Sequence, residues 1–156
     1  MKSIILILLL SFSVAGFSID KNSFYKVLSS NSETEITNKL QQLEKEKTSS
    51  LILAYKGALI AKKASFEKKA TQKIKLFKTG VTLLETEITK SPKKIEFRFL
   101  RLAIQENCPK ILKYNQNIKN DVAVITAGYP KLNKELKKII LDYAKSSKTL
   151  NPSLLK

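Results

Sequence analysis

The sequence predicts an all-α fold, antiparallel helical hairpins stacked as a short bundle, and three observations carry that prediction. Glycine and proline are scarce, four of each in 156 residues, and β-branched runs are short. Pro92 and Pro109 bracket a stretch with neither residue between them, which reads as one helix with a hard start and a hard stop. Ala70, Ile74, Phe77, Val81, Leu84 and Ile88 recur at alternating spacings of four and three, the seam of a helix laid against a partner helix. Apolar residues make up 43% of the chain and charged residues 27%, a globular balance.

Residues 1–18 read as a secretory signal peptide. Lys2 supplies the positive start, Ile4 to Leu10 the apolar run, and Ser11 to Ser18 the small residues, with Val14 and Gly16 at the −3 and −1 positions. A membrane anchor needs about 20 apolar residues, and Ser11 and Ser13 interrupt the run well before that. With the leader set aside, the organisation expected is a single helical domain over 19–150 and a frayed tail over 151–156. No later stretch is long and apolar enough to span a bilayer.

Along that domain, Asp20 caps a short helix over Asn22 to Leu28, and Ser32 with Glu35 has the form of a capping box for the next. That second helix carries a narrow stripe of Ile36, Leu40 and Leu43, suited to an outer position. Thr48-Ser49-Ser50 then caps a nearly all-apolar run from Leu51 to Ala61. Gly57 inside that run costs about 1 kcal/mol against alanine, which makes sense where another helix lies close. A continuous helix from 50 to 90 would be about 60 Å long at 1.5 Å per residue, so a break is expected near Ser65 to Thr71. The seam helix ends at Ser91-Pro92, and the bracketed central helix follows. Asp121 to Ala127 makes a further buried turn or two, closed by Gly128-Tyr129-Pro130. A last amphipathic helix (Leu132, Leu136, Ile139, Ile140, Tyr143) runs to Asn151-Pro152.

Net charge is +16, concentrated in residues 51–80 and 108–156, where the basic residues are all lysine. Lysine is a hydrated point charge, suited to non-specific attraction and poor at bidentate recognition. The plain reading is a solvated surface; the functional one is a face that meets anions, with Lys68, Lys69 and Lys73 at its centre. Those three crowd the start of the seam helix, where the macrodipole disfavours cations.

Catalytic chemistry has little to work with. Histidine is absent, and with it the commonest general base and metal ligand. The single Cys108 can form neither an internal disulfide nor a thiolate cage. Glu85, Glu87, Glu96 and Glu106 show no spacing that favours a glycosidase pair over solvent exposure and ion pairing. No catalytic, cofactor-binding or metal-binding residue is therefore assigned, and the chain is read as non-enzymatic. On the central helix Arg98, Arg101 and Gln105 form the one polar stripe. The two arginines must reach solvent or meet acids such as Glu85 or Asp121, because a buried unpaired charge is costly. The functional alternative is a groove offering two guanidinium forks to a partner's carboxylate or phosphate.

Leu83-Leu84-Glu85, Ile88 and Ser91-Pro92 resemble the second helix of a tetratricopeptide-type repeat, with Gly80 at its small position, Leu84 at its large one and Pro92 as its closing proline. Glu87 departs from that pattern, where alanine is the rule. Ala54-Tyr55-Lys56-Gly57-Ala58, Phe77-Lys78-x-Gly80, Glu96-x-Arg98-Phe99-Leu100-Arg101-Leu102 and Gln105-Glu106-Asn107-x-Pro109 with Leu112-x-Tyr114 resemble a family of small exported bacterial proteins. That family is all-helical and tetratricopeptide-like, and the resemblance spans roughly residues 51–125. It implies a TPR-like helical-repeat fold and an envelope setting, periplasmic or extracellular, and brings no chemistry to carry over. The function expected is a binding or assembly module for an envelope protein. The rival is an electrostatic binder of anionic polymers or lipid headgroups through Lys62 to Lys78 and Lys131 to Lys148. Nucleic acid fits poorly, because the chain is read as exported and aromatic residues hardly interleave with the basic ones.

Overall fold

Local sequence places most helix starts. In the computed structural model, which describes residues 19–156, the Asp20 carboxylate accepts from the Ser23 amide at 3.0 Å and opens α1 (Lys21–Ser29). The Ser32 hydroxyl accepts from the Glu35 amide at 3.3 Å and opens α2 (Glu33–Lys45). Ser49 does the same for the Ile52 amide at the head of α3 (Ser50–Lys63). The remaining helices are α4 (Ala70–Lys90), α5 (Ile95–Asn107), α6 (Ile118–Gly128) and α7 (Lys134–Ala144), and the described residues contain no strand. The fold is all-α. The expected signal peptide at 1–18 lies outside the described residues.

The break between α3 and α4 is a 3-10 turn at Ala64–Phe66 followed by Glu67-Lys68-Lys69, so the two helices fold back as a hairpin. Two glycines set how close they come. A Cβ on Gly57 would lie 2.8 Å from the Gly80 carbonyl oxygen, and one on Gly80 only 2.3 Å from the Ala61 backbone nitrogen. Farther along, the Ser50 hydroxyl donates to Glu87, so the pairing runs antiparallel. A second antiparallel pair is α5 with α6: Arg101 meets Asp121, and Gln105 meets the Asn117 amide.

Helix α5 lies between two hydrophobic cores. Phe97, Leu100 and Ile104 enter the first, with Phe24, Ile36, Tyr55, Leu59 and Leu84 from α1 to α4. Phe24 and Tyr55 stack there with ring centroids 3.7 Å apart. Phe99 and Leu102 enter the second, with Ile125 of α6, Leu136 and Ile140 of α7, and Leu150 beyond it. Polar positions of α5 are covered too: Glu96, Arg101 and Gln105 are all buried.

Two expectations change. Helix α7 ends at Ala144 rather than near Asn151, and the residues expected to fray at 151–156 instead form a 3-10 turn at Pro152–Leu154 with Leu155 buried. The physical reason is Glu106 on α5, whose carboxylate draws in the hydroxyls of Tyr143, Ser147 and Thr149 and turns the chain back against the second core. Glu87 and Glu96 form the expected ion pairs, with Lys90 and Lys21 respectively, but are buried rather than in solvent. No helix among the described residues is long and apolar enough to cross a membrane.

Candidate functional site

The polar stripe of α5 faces Asp121, in the first turn-and-a-bit of α6, and Asp121 is fully buried. Arg101 grips it in a bidentate fork, Nε to Oδ2 at 2.8 Å and Nη2 to Oδ1 at 2.6 Å. Arg98 Nη1 reaches Oδ1 at 3.2 Å, and its Nε donates to the Pro92 carbonyl at 2.8 Å. Gln105 Nε2 donates to Oδ2 at 2.8 Å, while its Oε1 accepts from the Asn117 amide at 2.9 Å. The remaining Arg101 nitrogen donates to Glu85 of α4, whose other oxygen accepts from the Tyr114 hydroxyl at 2.6 Å. Burial alone would lower the Arg101 pKa, but the hydrogen bonds and charges of Asp121 and Glu85 together hold it above its ordinary value. Two guanidinium charges thus meet two carboxylates within the protein. The cluster is electrically closed, and it ties α4, α5 and α6 in one register.

A second buried acid, Glu96, opens α5 and accepts from Lys21 of α1 and the Tyr55 hydroxyl of α3. Burial, and then the Glu96 carboxylate, push the Tyr55 phenol far above its ordinary pKa, so it stays a neutral donor. The Tyr25 hydroxyl is buried nearby without a hydrogen bond in range. This cluster too satisfies its charges internally.

Open chemistry lies elsewhere, in a cleft of about 850 Å³ where α1, the end of α3, the start of α4, α5 and α7 converge. That volume is in the range of small-molecule sites, about 300–1,000 Å³. Its floor is apolar: Leu28, Phe77, Phe99, Ile104, Leu112 and Ile139. Lys26, Lys62 and Lys73 stand among these side chains, and none of them forms an ion pair among the described residues. Asp142 is the acid on the margin. It is already held by Lys138 at 2.6 Å and Lys145 at 2.7 Å, and those bonds bring its carboxyl down to about 2. Desolvation lowers the pKa of Lys62, the mark of an ammonium without a counter-charge. Cys108 also lines the cleft, and burial pushes its thiol pKa up.

The six residues singled out from sequence therefore separate. Arg98, Arg101 and Gln105 come together, but around Asp121 and not around an opening. Lys68 and Lys69 are exposed at the head of α4, away from the cleft lining, and Lys73 one turn on is half-buried in it. Lys26 escaped sequence reasoning, and Lys62 entered it only as the first residue of the basic stretch Lys62 to Lys78. They come from different helices with no shared motif or spacing, so only tertiary packing brings them to one surface. Comparison of the chain with family models, curated proteins and solved structures gives no match.

Proposed function

We propose that this protein is an exported, non-enzymatic binding protein of the bacterial envelope, built as TPR-like stacked hairpins, which works through the lysine-edged cleft. One observation carries the reading: the cleft is the place where apolar surface and unpaired charge are left together. The arginine cluster is the weaker candidate, since Arg101 is taken up by Asp121 and Glu85, and Arg98 by Asp121 and the Pro92 carbonyl. The leader-like pattern of residues 1–18 and the two antiparallel helix pairs support the envelope setting and the repeat-like architecture.

The test is titration of the native protein with an environment-sensitive apolar dye, beside an Ala103→Trp variant. Ala103 is half-buried in the cleft wall, and an indole there fills the opening. One dye per wild-type molecule and none on the variant supports the reading. Equal dye binding by both proteins, or none by either, rejects it.

A second reading has its own observation. Lys68, Lys69, Lys75 and Lys78 are exposed along α4 and without ion pairs among the described residues, a face open to anionic polymers or lipid headgroups. Retention on heparin that falls steeply with salt, and falls further on charge reversal of Lys68 and Lys69, would favour it.

A further inference from the structure

We propose that the cleft holds the anion of a single-chain amphiphile, a long-chain fatty acid, with its carboxylate between Lys62 and Lys73 and its chain over Phe77, Ile104 and Leu112. This rests on the reading of the cleft as the binding site and names what enters it.

Charge complementarity points to an acid. Lys62 lies in the last turn of α3 and Lys73 in the first turn of α4, on either side of the hairpin's bend, and both line the cleft. Among the described residues neither forms an ion pair with a carboxylate, and Asp142 of α7, which also lines the cleft, is held by Lys138 and Lys145. A partly desolvated ammonium beside an apolar wall gains most from an anion that brings its own apolar body. The cleft lining contains lysine and no arginine, which suits a compact head better than one recognised by bidentate forks.

The floor points to an alkyl chain. A peptide would bring one donor and one acceptor per residue that need partners once buried. Much of the wall of this cleft is α-helix, which spends its backbone groups on its own turns, and the floor residues are hydrocarbon. An alkyl chain buries there with no such debt.

Protein expressed from the full chain is titrated with palmitate below its micelle concentration, with hexadecanol below its solubility limit and with acetate, reading dye displacement and the alkylation rate of Cys108. That thiol is the chain's only cysteine and lines the cleft, so a seated ligand slows its reaction. Palmitate should bind one per protein and protect Cys108. Hexadecanol should bind about tenfold more weakly and acetate not measurably, and Lys62→Gln with Lys73→Gln should remove the preference for the acid. Lys68→Gln with Lys69→Gln removes the same charge outside the cleft and should leave palmitate affinity unchanged. Helix content by circular dichroism confirms that each variant folds, and a misfolded glutamine pair is replaced by Lys73→Gln alone, expected to lose part of the preference. Equal affinity for palmitate and hexadecanol, or palmitate binding indifferent to the cleft lysines, overturns the inference while leaving an apolar cleft that binds dye. Absence of dye binding overturns the underlying reading as well.

Discussion

Asp121 accepts hydrogen bonds from three side chains while fully withdrawn from water. Removing its charge strands Arg98 and the Asp121-facing fork of Arg101 in the interior, and an uncompensated buried charge costs about 3–5 kcal/mol. Asp121→Asn keeps the volume but turns an amide toward guanidinium donors. It should lower the unfolding free energy by about that amount, read as a shift of the urea midpoint with unchanged slope. A loss within about 0.5 kcal/mol, the range of ordinary surface substitutions, would mean that the cluster is wet and loosely held. The acids that meet Arg98 and Arg101 could be named in advance, because cations on a mostly apolar helix must find counter-charges and few acids lie nearby in sequence. Lys26, and the place of Lys62 in the cleft, could not, because nothing local marks a lysine whose surroundings are assembled from five helices.

The α3–α4 hairpin turns on a glycine pair. Alanine at Gly80 would gain about 1 kcal/mol of helix propensity, but its methyl would sit 2.3 Å from the Ala61 nitrogen and 2.9 Å from its Cα. Backbone cannot yield there without parting the helices, and overpacking costs about 1–3 kcal/mol or more. Gly80→Ala should therefore destabilise on balance, and a higher melting temperature would show that the helices stand farther apart. The same hairpin is clasped by Glu87, which accepts from Ser50 and Lys90. Burial works against its ionisation, yet those two bonds prevail and hold its folded pKa below the ordinary value. The stability Glu87 supplies is then complete above the unfolded carboxyl pKa, about 4.3, and is lost as pH falls through the depressed folded one. Glu87→Gln should be less stable than wild type at pH 7, with the gap closing below about pH 4.3; a gap independent of pH would assign the clasp to packing alone. The starts of α1, α2 and α3 were legible because a cap lies within three residues of what it caps. The end of α7 was not: no glycine or proline follows Ala144 before Pro152, and the carboxylate that turns the chain belongs to Glu106 on another helix.

Across the molecule, α5 is the shared wall of both cores, and the prolines that bracket it made that role readable from the sequence. How the chain closes the second core was hidden, since a terminal segment with asparagine, proline and serine looks like one that water would claim. The tail is held by side-chain hydroxyls on Glu106, and the Leu150 amide donates to the Ser147 hydroxyl at 2.9 Å. Leu150 is thereby fully buried among residues of α5, α6 and α7, and Leu155 follows it inward. A leucine so placed behaves as core whatever its distance from the chain end. Leu150→Ala should cost about 2–5 kcal/mol, the loss expected for truncating an interior leucine, whereas a frayed residue would cost almost nothing. Urea unfolding followed by far-ultraviolet circular dichroism measures it directly. Because α7 walls both the second core and the cleft, the variant should also weaken dye binding at urea concentrations well below its own midpoint. Loss of stability with dye affinity unchanged up to the unfolding transition would show that the C-terminal segment braces the core without shaping the opening beside it.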